Sequence, residues 1–251
     1  MKTVSTHTLT QWLATTLNVA AFSDYCPNGL QVEGKHSVGH IVTGVTASQA
    51  LIDIAAKQQA DALLVHHGWF WKGEDPRLVG TRKVRVTSLL AHDLNLLAYH
   101  LPLDAHPVLG NNAQLARVLG LIAEPSRTAT ELLWLGSRPG VTTLGGFAQL
   151  VEQRLERIPL VLGAPDFPVQ RIAWCTGAAQ NLLQRAIDAG AQLFITGEVS
   201  EPTVHLAREA GVGFISAGHH ATERYGVQAL GEAIAQEFGI RVDFVDIDNP
   251  V

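Results

Sequence analysis

The chain has 251 residues, longer than a typical single domain of about 150, with 47% hydrophobic and only 16% charged residues, so it can bury a sizeable core and is not disordered. Its 18 basic and 23 acidic residues leave a net charge of -5 at an isoelectric point near 6.1, and no basic tail points to nucleic acid or an anionic membrane surface. No apolar run reaches the ~18 residues that span a bilayer, no signal-peptide core opens the chain, and Cys26 and Cys175 make neither a disulfide framework nor a CxxC motif, so a reduced, cytoplasmic protein is expected.

Leu9, Trp12, Leu13 and Leu17 recur at helical spacing and predict a short amphipathic helix over residues 8–17. Asp24 to Val32 reads as a turn running into a short strand. From Ile41 the pattern is regular: strand 41–45, helix 48–59, strand 62–65, helix 84–93 and strand 96–99. Short apolar runs alternating with helices mark parallel βαβ units. The same order returns as strand 172–176, helix 180–189, strand 192–195, helix 202–210 and strand 212–216. A shift of 131 places Gln49 on Gln180 and Leu64 on Ile195, and sets His66-His67 opposite Gly197-Glu198. An internal duplication fits this echo, as does the general similarity of any two βαβ units. The expectation is an α/β fold of two similar lobes with mainly parallel strands, residues 1–125 and 126–251, and a metal site between them. The boundary falls in the segment 123–127, with further loops at 136–140 and 163–168.

Three strings carry chemistry, each just past a strand's carboxyl end, where open parallel sheets gather ligands. In Leu63-Leu64-Val65-His66-His67-Gly68, adjacent residues of a regular strand point to opposite faces, so both histidines serve one site only if the backbone turns, as Gly68 permits. Taken alone, the pair also reads as one core and one surface histidine. In Tyr99-His100-Leu101-Pro102-Leu103-Asp104, the carboxylate of Asp104 stands in apolar surroundings that call for a partner, or it caps a helix or turn. In Gly218-His219-His220-Ala221-Thr222-Glu223, His219 and Glu223 share a helix face at i and i+4, as metal ligands or as a solvent-facing pair, while His220 points elsewhere.

Together the strings favour metal. Imidazole and carboxylate suit Zn, Fe, Mn or Ni rather than Mg or Ca. Five donors, His66, His67, Asp104, His219 and Glu223, exceed the needs of one tetrahedral ion with an open position and match two ions sharing a bridging carboxylate.

These strings, with Asn28-Gly29-Leu30-Gln31-Val32 and Thr196-Gly197-Glu198, resemble in order the YbgI-like dinuclear metal-centre proteins, a family labelled GTP cyclohydrolase type 2-like. The resemblance covers nearly the whole chain and corresponds to the family's short form. It implies that two divalent transition-metal ions are held by His66, His67, Asp104, His219 and Glu223, and that the chain forms a ring-like homohexamer. The activity it implies is metal-dependent hydrolysis of a nucleotide-like or phosphorylated small molecule. The alternative is a metal chaperone or homeostasis protein without turnover. No separate organic cofactor site and no catalytic acid or base is assigned.

Of the remaining features, Trp69-Phe70-Trp71 reads as a hydrophobic wall or as a stacking platform for a base. Lys72, Arg77, Arg82, Lys83 and Arg85 concentrate charge that could hold a phosphate, face solvent or meet a subunit. Glu198 and Glu201 are candidates for general acid or base, or for capping the helix that follows. The 47% apolar content also favours an oligomer.

Overall fold

The computed structural model describes residues 2–125, 128–140 and 142–251. In chain order its elements are β1 (Val4–Ser5), α1 (Thr6–Thr16), β2 (Gly29–Val32), β3 (Ser37–Val38), β4 (His40–Thr46), α2 (Gln49–Lys57), β5 (Ala62–His67), α3 (Gly80–Ala91), β6 (Asn95–Ala98), α4 (Leu101–Ala105), α5 (Asn111–Leu119), β7 (Ile122–Ala123), β8 (Trp134–Ser137), α6 (Leu144–Leu155), β9 (Leu160–Leu162), β10 (Ile172–Trp174), α7 (Leu183–Asp188), β11 (Leu193–Thr196), α8 (Glu201–Ala210), β12 (Gly213–Ser216), α9 (His219–Phe238) and β13 (Arg241–Phe244).

Their contacts divide the chain into two compact units, residues 2–110 with 226–248 and residues 111–225 with 249–251. The expected cut between residues 125 and 126 lies beside Ser126 and Arg127, outside the described residues. Two local reasons give the units their discontinuous membership. Leu115, Ala116 and Leu119 of α5 pack with Phe147 and Val151 of α6. Strand β13 pairs in parallel with β4, from Arg241 opposite His40 to Phe244 opposite Thr43.

The first unit holds a five-stranded sheet in the order β13-β4-β5-β6-β2, parallel except for β2 against β6. Alternation along its strands splits the core into two faces. Ile41, Ala62, Leu64 and Leu97 pack with Leu9 and Leu13 of α1 and with Leu230 and Ile234 of α9. Val42, Leu63, Val65 and Leu96 pack with Leu51, Ile52 and Ala55 of α2 and with Leu89 of α3. Because helices cover both faces, the strands read as continuous apolar runs in the sequence. Helix α1 starts where Ser5 Oγ accepts the Thr8 N–H at 3.0 Å, and α2 where Ser48 Oγ accepts that of Leu51 at 3.3 Å.

The second unit holds a six-stranded sheet, β7-β8-β10-β11-β12-β9, in which β10, β11 and β12 are parallel and the outer pairings antiparallel. Trp174, Leu193, Ile195 and Ile215 face α5 and α6, while Ala173, Phe194 and Phe214 face Leu183 and Ala186 of α7 and Ala207 of α8. The order strand–helix–strand–helix–strand–helix is thus common to β4-α2-β5-α3-β6-α4 and β10-α7-β11-α8-β12-α9. The α/β class and the run of parallel strands expected from the sequence are what the chain adopts, whereas α4, α5, α6 and β13 were not legible there. Gly136 and Ser137, read as loop, belong to β8.

Candidate metal centre

In the first unit, the ladder between β5 and β6 ends at Val65 opposite Ala98, so His66 and His67 extend beyond their neighbour on that side. The strand itself continues through His67 and the first bend comes at Trp69, not at Gly68, where a Cβ would collide with the Gln31 side chain and Ala98. His66 is fully buried and His67 half-buried, the contrast that alternation demands. Even so, their rings lie 4.5 Å apart between centroids. His66 Nδ1 lies 2.9 Å from the Tyr99 carbonyl oxygen. A carbonyl only accepts, so Nδ1 carries the proton and Nε2 presents the lone pair. That Nε2 is 3.4 Å from Oδ1 of Asp104, a buried residue of α4. His67 Nδ1 is 3.1 Å from the Thr46 hydroxyl.

A third imidazole, absent from the ligand set expected on sequence, completes this group. His100 has its ring 5.1 Å from that of His66 and 5.8 Å from that of His67, and one nitrogen of each of the three lies within 4.8 Å of the others. His100 Nδ1 donates to Asp24 Oδ1 at 2.8 Å, and its backbone N–H to Asn28 Oδ1 at 2.7 Å. Asp24 Oδ2 accepts from Leu101 N–H and Asn28 Nδ2. The turn at Asp24 therefore clamps the start of α4. Burial alone would raise the Asp24 pKa, but the hydrogen bonds from His100 and Asn28, the His100 charge and the Tyr25 N–H outweigh it and lower it from 3.8 to about 2. Cys26 also lies close to Asp24 and His100, but burial, with the charge of Asp24, pushes its thiol up to about 12, which keeps it protonated near neutral pH.

Asp24→Asn is expected to reduce the unfolding free energy by about 2 kcal/mol near neutral pH. A carboxyl whose folded pKa is depressed stabilises the fold above 3.8 and loses that contribution as the pH falls through about 2. The gap between variant and parent in urea melts should therefore close as the pH falls from 4 towards 2. Coincident melts at pH 7 would rule out the clamp.

In the second unit, His219 opens α9. Its Nδ1 is 2.7 Å from Glu198 Oε1, just past β11, and its Nε2 is 3.1 Å from Glu223 Oε2, one turn along the same helix. Glu223 is buried, while His219 and Glu198 are partly exposed. Burial opposes the charged imidazole, but the hydrogen bonds and charges of Glu223, then of Glu198, raise the His219 pKa to about 9. Carboxylates that hold a proton on Nε2 favour any cation there. Gly177, at φ +69°, follows β10 so closely that a Cβ would strike the Glu223 carboxylate. Its N–H donates to Thr222 Oγ1 at 3.1 Å.

Glu198 therefore orients His219 rather than capping α8, whose N-cap Ser200 makes no side-chain cap hydrogen bond. Glu201 pairs with His205 at 2.9 Å on the exposed face of α8. The signal that could have found Glu198 was the 131-residue echo, which set it opposite His67. His220 is half-exposed, and its N–H donates to the Val251 carbonyl. Each unit thus gathers its share of the five expected donors: His66, His67 and Asp104 in the first, His219 and Glu223 in the second. Clusters of histidine and carboxylate able to bind metal are present, and their chemistry fits a borderline transition-metal ion.

The sequence signature of the family described as Duf34/NIF3 (NGG1p interacting factor 3) matches residues 4–250. A GTP cyclohydrolase 1 type 2 homolog of Neisseria meningitidis serogroup A is 55% identical over 239 residues, covering 95% of this chain and 96% of that protein. One from Pseudomonas aeruginosa is 54% identical over 238 residues, covering 93% and 94%. Among solved structures, protein ybgI matches with a TM-score of 0.95 at 50% identity over 99% of this chain and 100% of its own. TTHA1606 from Thermus thermophilus matches at 0.88 with 35% identity, again over 99% and 100%.

Proposed function

Because the chain belongs to the Duf34/NIF3 family, we propose that it is a metal-dependent hydrolase of nucleotide-like or phosphorylated small molecules, with two divalent transition-metal ions held by His66, His67, Asp104, His219 and Glu223. The observation that carries the reading is the second hydrogen bond of the imidazoles. His66 is committed through Nδ1–H to the Tyr99 carbonyl and His219 through Nδ1–H to Glu198, so each turns Nε2 towards a carboxylate, Asp104 or Glu223. Bound ions would supply Lewis acidity towards water and towards a phosphoryl or carbonyl electrophile. The chain's own groups supply orientation and proton handling. Asp24 fixes the Nδ1–H of His100, whose Nε2 makes no hydrogen bond among the described residues and stands beside His66 and His67. His100 is thereby the candidate to take or return a proton during hydrolysis.

The test is a screen of nucleotides, phosphoesters and cyclic amides on metal-loaded protein, with Asp104→Ala as control. Metal-dependent turnover that disappears in the control supports the hydrolase. An absence of turnover, with rapid metal transfer to a competing apo-protein, overturns it in favour of a metal chaperone.

Two further expectations accompany this reading. No helix of the described residues is long and apolar enough to cross a membrane, and a cytoplasmic location accords with that. Leu78, Val79, Val84 and Leu90 lie exposed in and just before α3, which supports a homo-oligomer, expected as a ring-like hexamer. Light scattering should find a species near six times the 27.0 kDa chain mass, and a monomer at micromolar concentration would remove the proposal.

A further inference from the structure

The charged stretch after the histidine pair resolves into two ion pairs and one guanidinium left over. Arg77 is bound by Asp75 in a two-pronged pair on the surface. Arg82 is held by Glu74 and by the Asp75 carbonyl. Arg85, half-buried one turn further along α3, makes no hydrogen bond or ion pair among the described residues. It lines a cavity of about 260 Å³ whose wall also includes His67, Trp71, Arg82 and Thr81.

The aromatic string divides in the same way. Trp69 is buried and gives its indole N–H to the Ala47 carbonyl at 3.1 Å, so it is wall. Trp71 is only half-buried, and its ring lies 6.1 Å from that of His67 and 4.9 Å from that of His100. One cavity thus offers a planar apolar surface, an uncommitted guanidinium suited to two-pronged recognition of phosphate, and a proposed metal ligand on its wall.

We infer that this cavity binds the phosphorylated end of a heteroaromatic small molecule, with the phosphoryl group on Arg85 and the ring against Trp71. The assignment rests on the hydrolase reading for its purpose and names where that substrate is held. Glu74 does not oppose it, because Arg82 already neutralises that carboxylate. Size limits the ligand. Pockets that enclose a whole drug-sized ligand run to roughly 300–1,000 Å³, so this cavity of about 260 Å³ has room for a phosphoryl group and the adjoining ring but not for a triphosphate chain as well.

Isothermal titration of the metal-loaded full chain with guanosine 5′-monophosphate, guanosine and inorganic phosphate tests it, with metal content measured on every sample. Arg85→Gln should weaken guanosine monophosphate by roughly tenfold or more, since one charge-assisted contact is lost, and leave guanosine unchanged. Arg85→Lys should recover part of the loss. Trp71→Leu should weaken both nucleoside and nucleotide and spare inorganic phosphate. Equal affinity of parent and Arg85→Gln for the monophosphate, at equal metal content, would overturn the site, because the anion would then be held by the metals alone. So would an absence of monophosphate binding to the parent. Binding that depends on Arg85 without turnover would leave the site standing and remove the hydrolase, whereas turnover indifferent to Arg85 would do the reverse.

Discussion

Replacing Glu223 with glutamine should lower the bound metal from about two ions per chain to one or fewer and abolish hydrolysis. The substitution keeps the side-chain volume, so the buried position against Gly177 remains filled. What changes is charge: a neutral carboxamide is a much poorer metal ligand than a carboxylate. The same change removes the strongest group raising the His219 pKa, so the imidazole should give up its proton nearer its ordinary value of 6.5. Glu198→Gln makes the graded comparison. It removes the charge and weakens the hydrogen bond that orients His219 while leaving Glu223 in place, and losses of outer partners of this kind typically cost about ten- to a hundredfold in metal affinity. Elemental analysis of the two variants beside the parent measures both effects. Unchanged metal content in Glu223→Gln would sink the proposed ligand set.

The second large effect concerns His100. If it handles a proton, His100→Gln should lower kcat by about 10²–10⁴-fold while the metal content stays at the parent level. Asp24→Asn should follow it at smaller amplitude, because the ring then loses a charged acceptor for Nδ1–H while the main-chain N–H of His100 keeps its hydrogen bond to Asn28 Oδ1. Metal content and kcat falling together in His100→Gln would make His100 a ligand instead, joined with His66 and His67. A kcat equal to the parent's would leave it with a packing role against Trp71.

The parts of the site that were legible in the sequence are those whose signal is local. His66-His67 follows a run of apolar residues, and that run is long because both faces of the sheet are covered. His219 and Glu223 are four apart on one helix, a spacing that places them together wherever the helix lies. Asp104 was visible as a carboxylate in apolar company, but its setting was not. The five-residue helix α4 that carries it begins with proline at its second position and is positioned by Asp24 and Asn28, more than seventy residues earlier. His100 carries no local signal for the same reason: nothing adjacent in sequence announces that its Nδ1 meets Asp24.

Local pattern was enough for the α/β class, the repeated strand–helix order, the residue types of the candidate donors and the family. Each of these is written in short-range periodicity and in strings of neighbouring residues. Which residue orients which emerged only once the chain was folded. Packing made Glu198 the partner of His219 and Asp24 the partner of His100, and it paired Arg77 and Arg82 with carboxylates but not Arg85. It also carried α5 into the second unit and β13 into the first. One cause underlies all of these. A hydrogen bond, an ion pair or a strand pairing between residues far apart in sequence depends on how complete sheets and helices pack, and no local pattern encodes that distance.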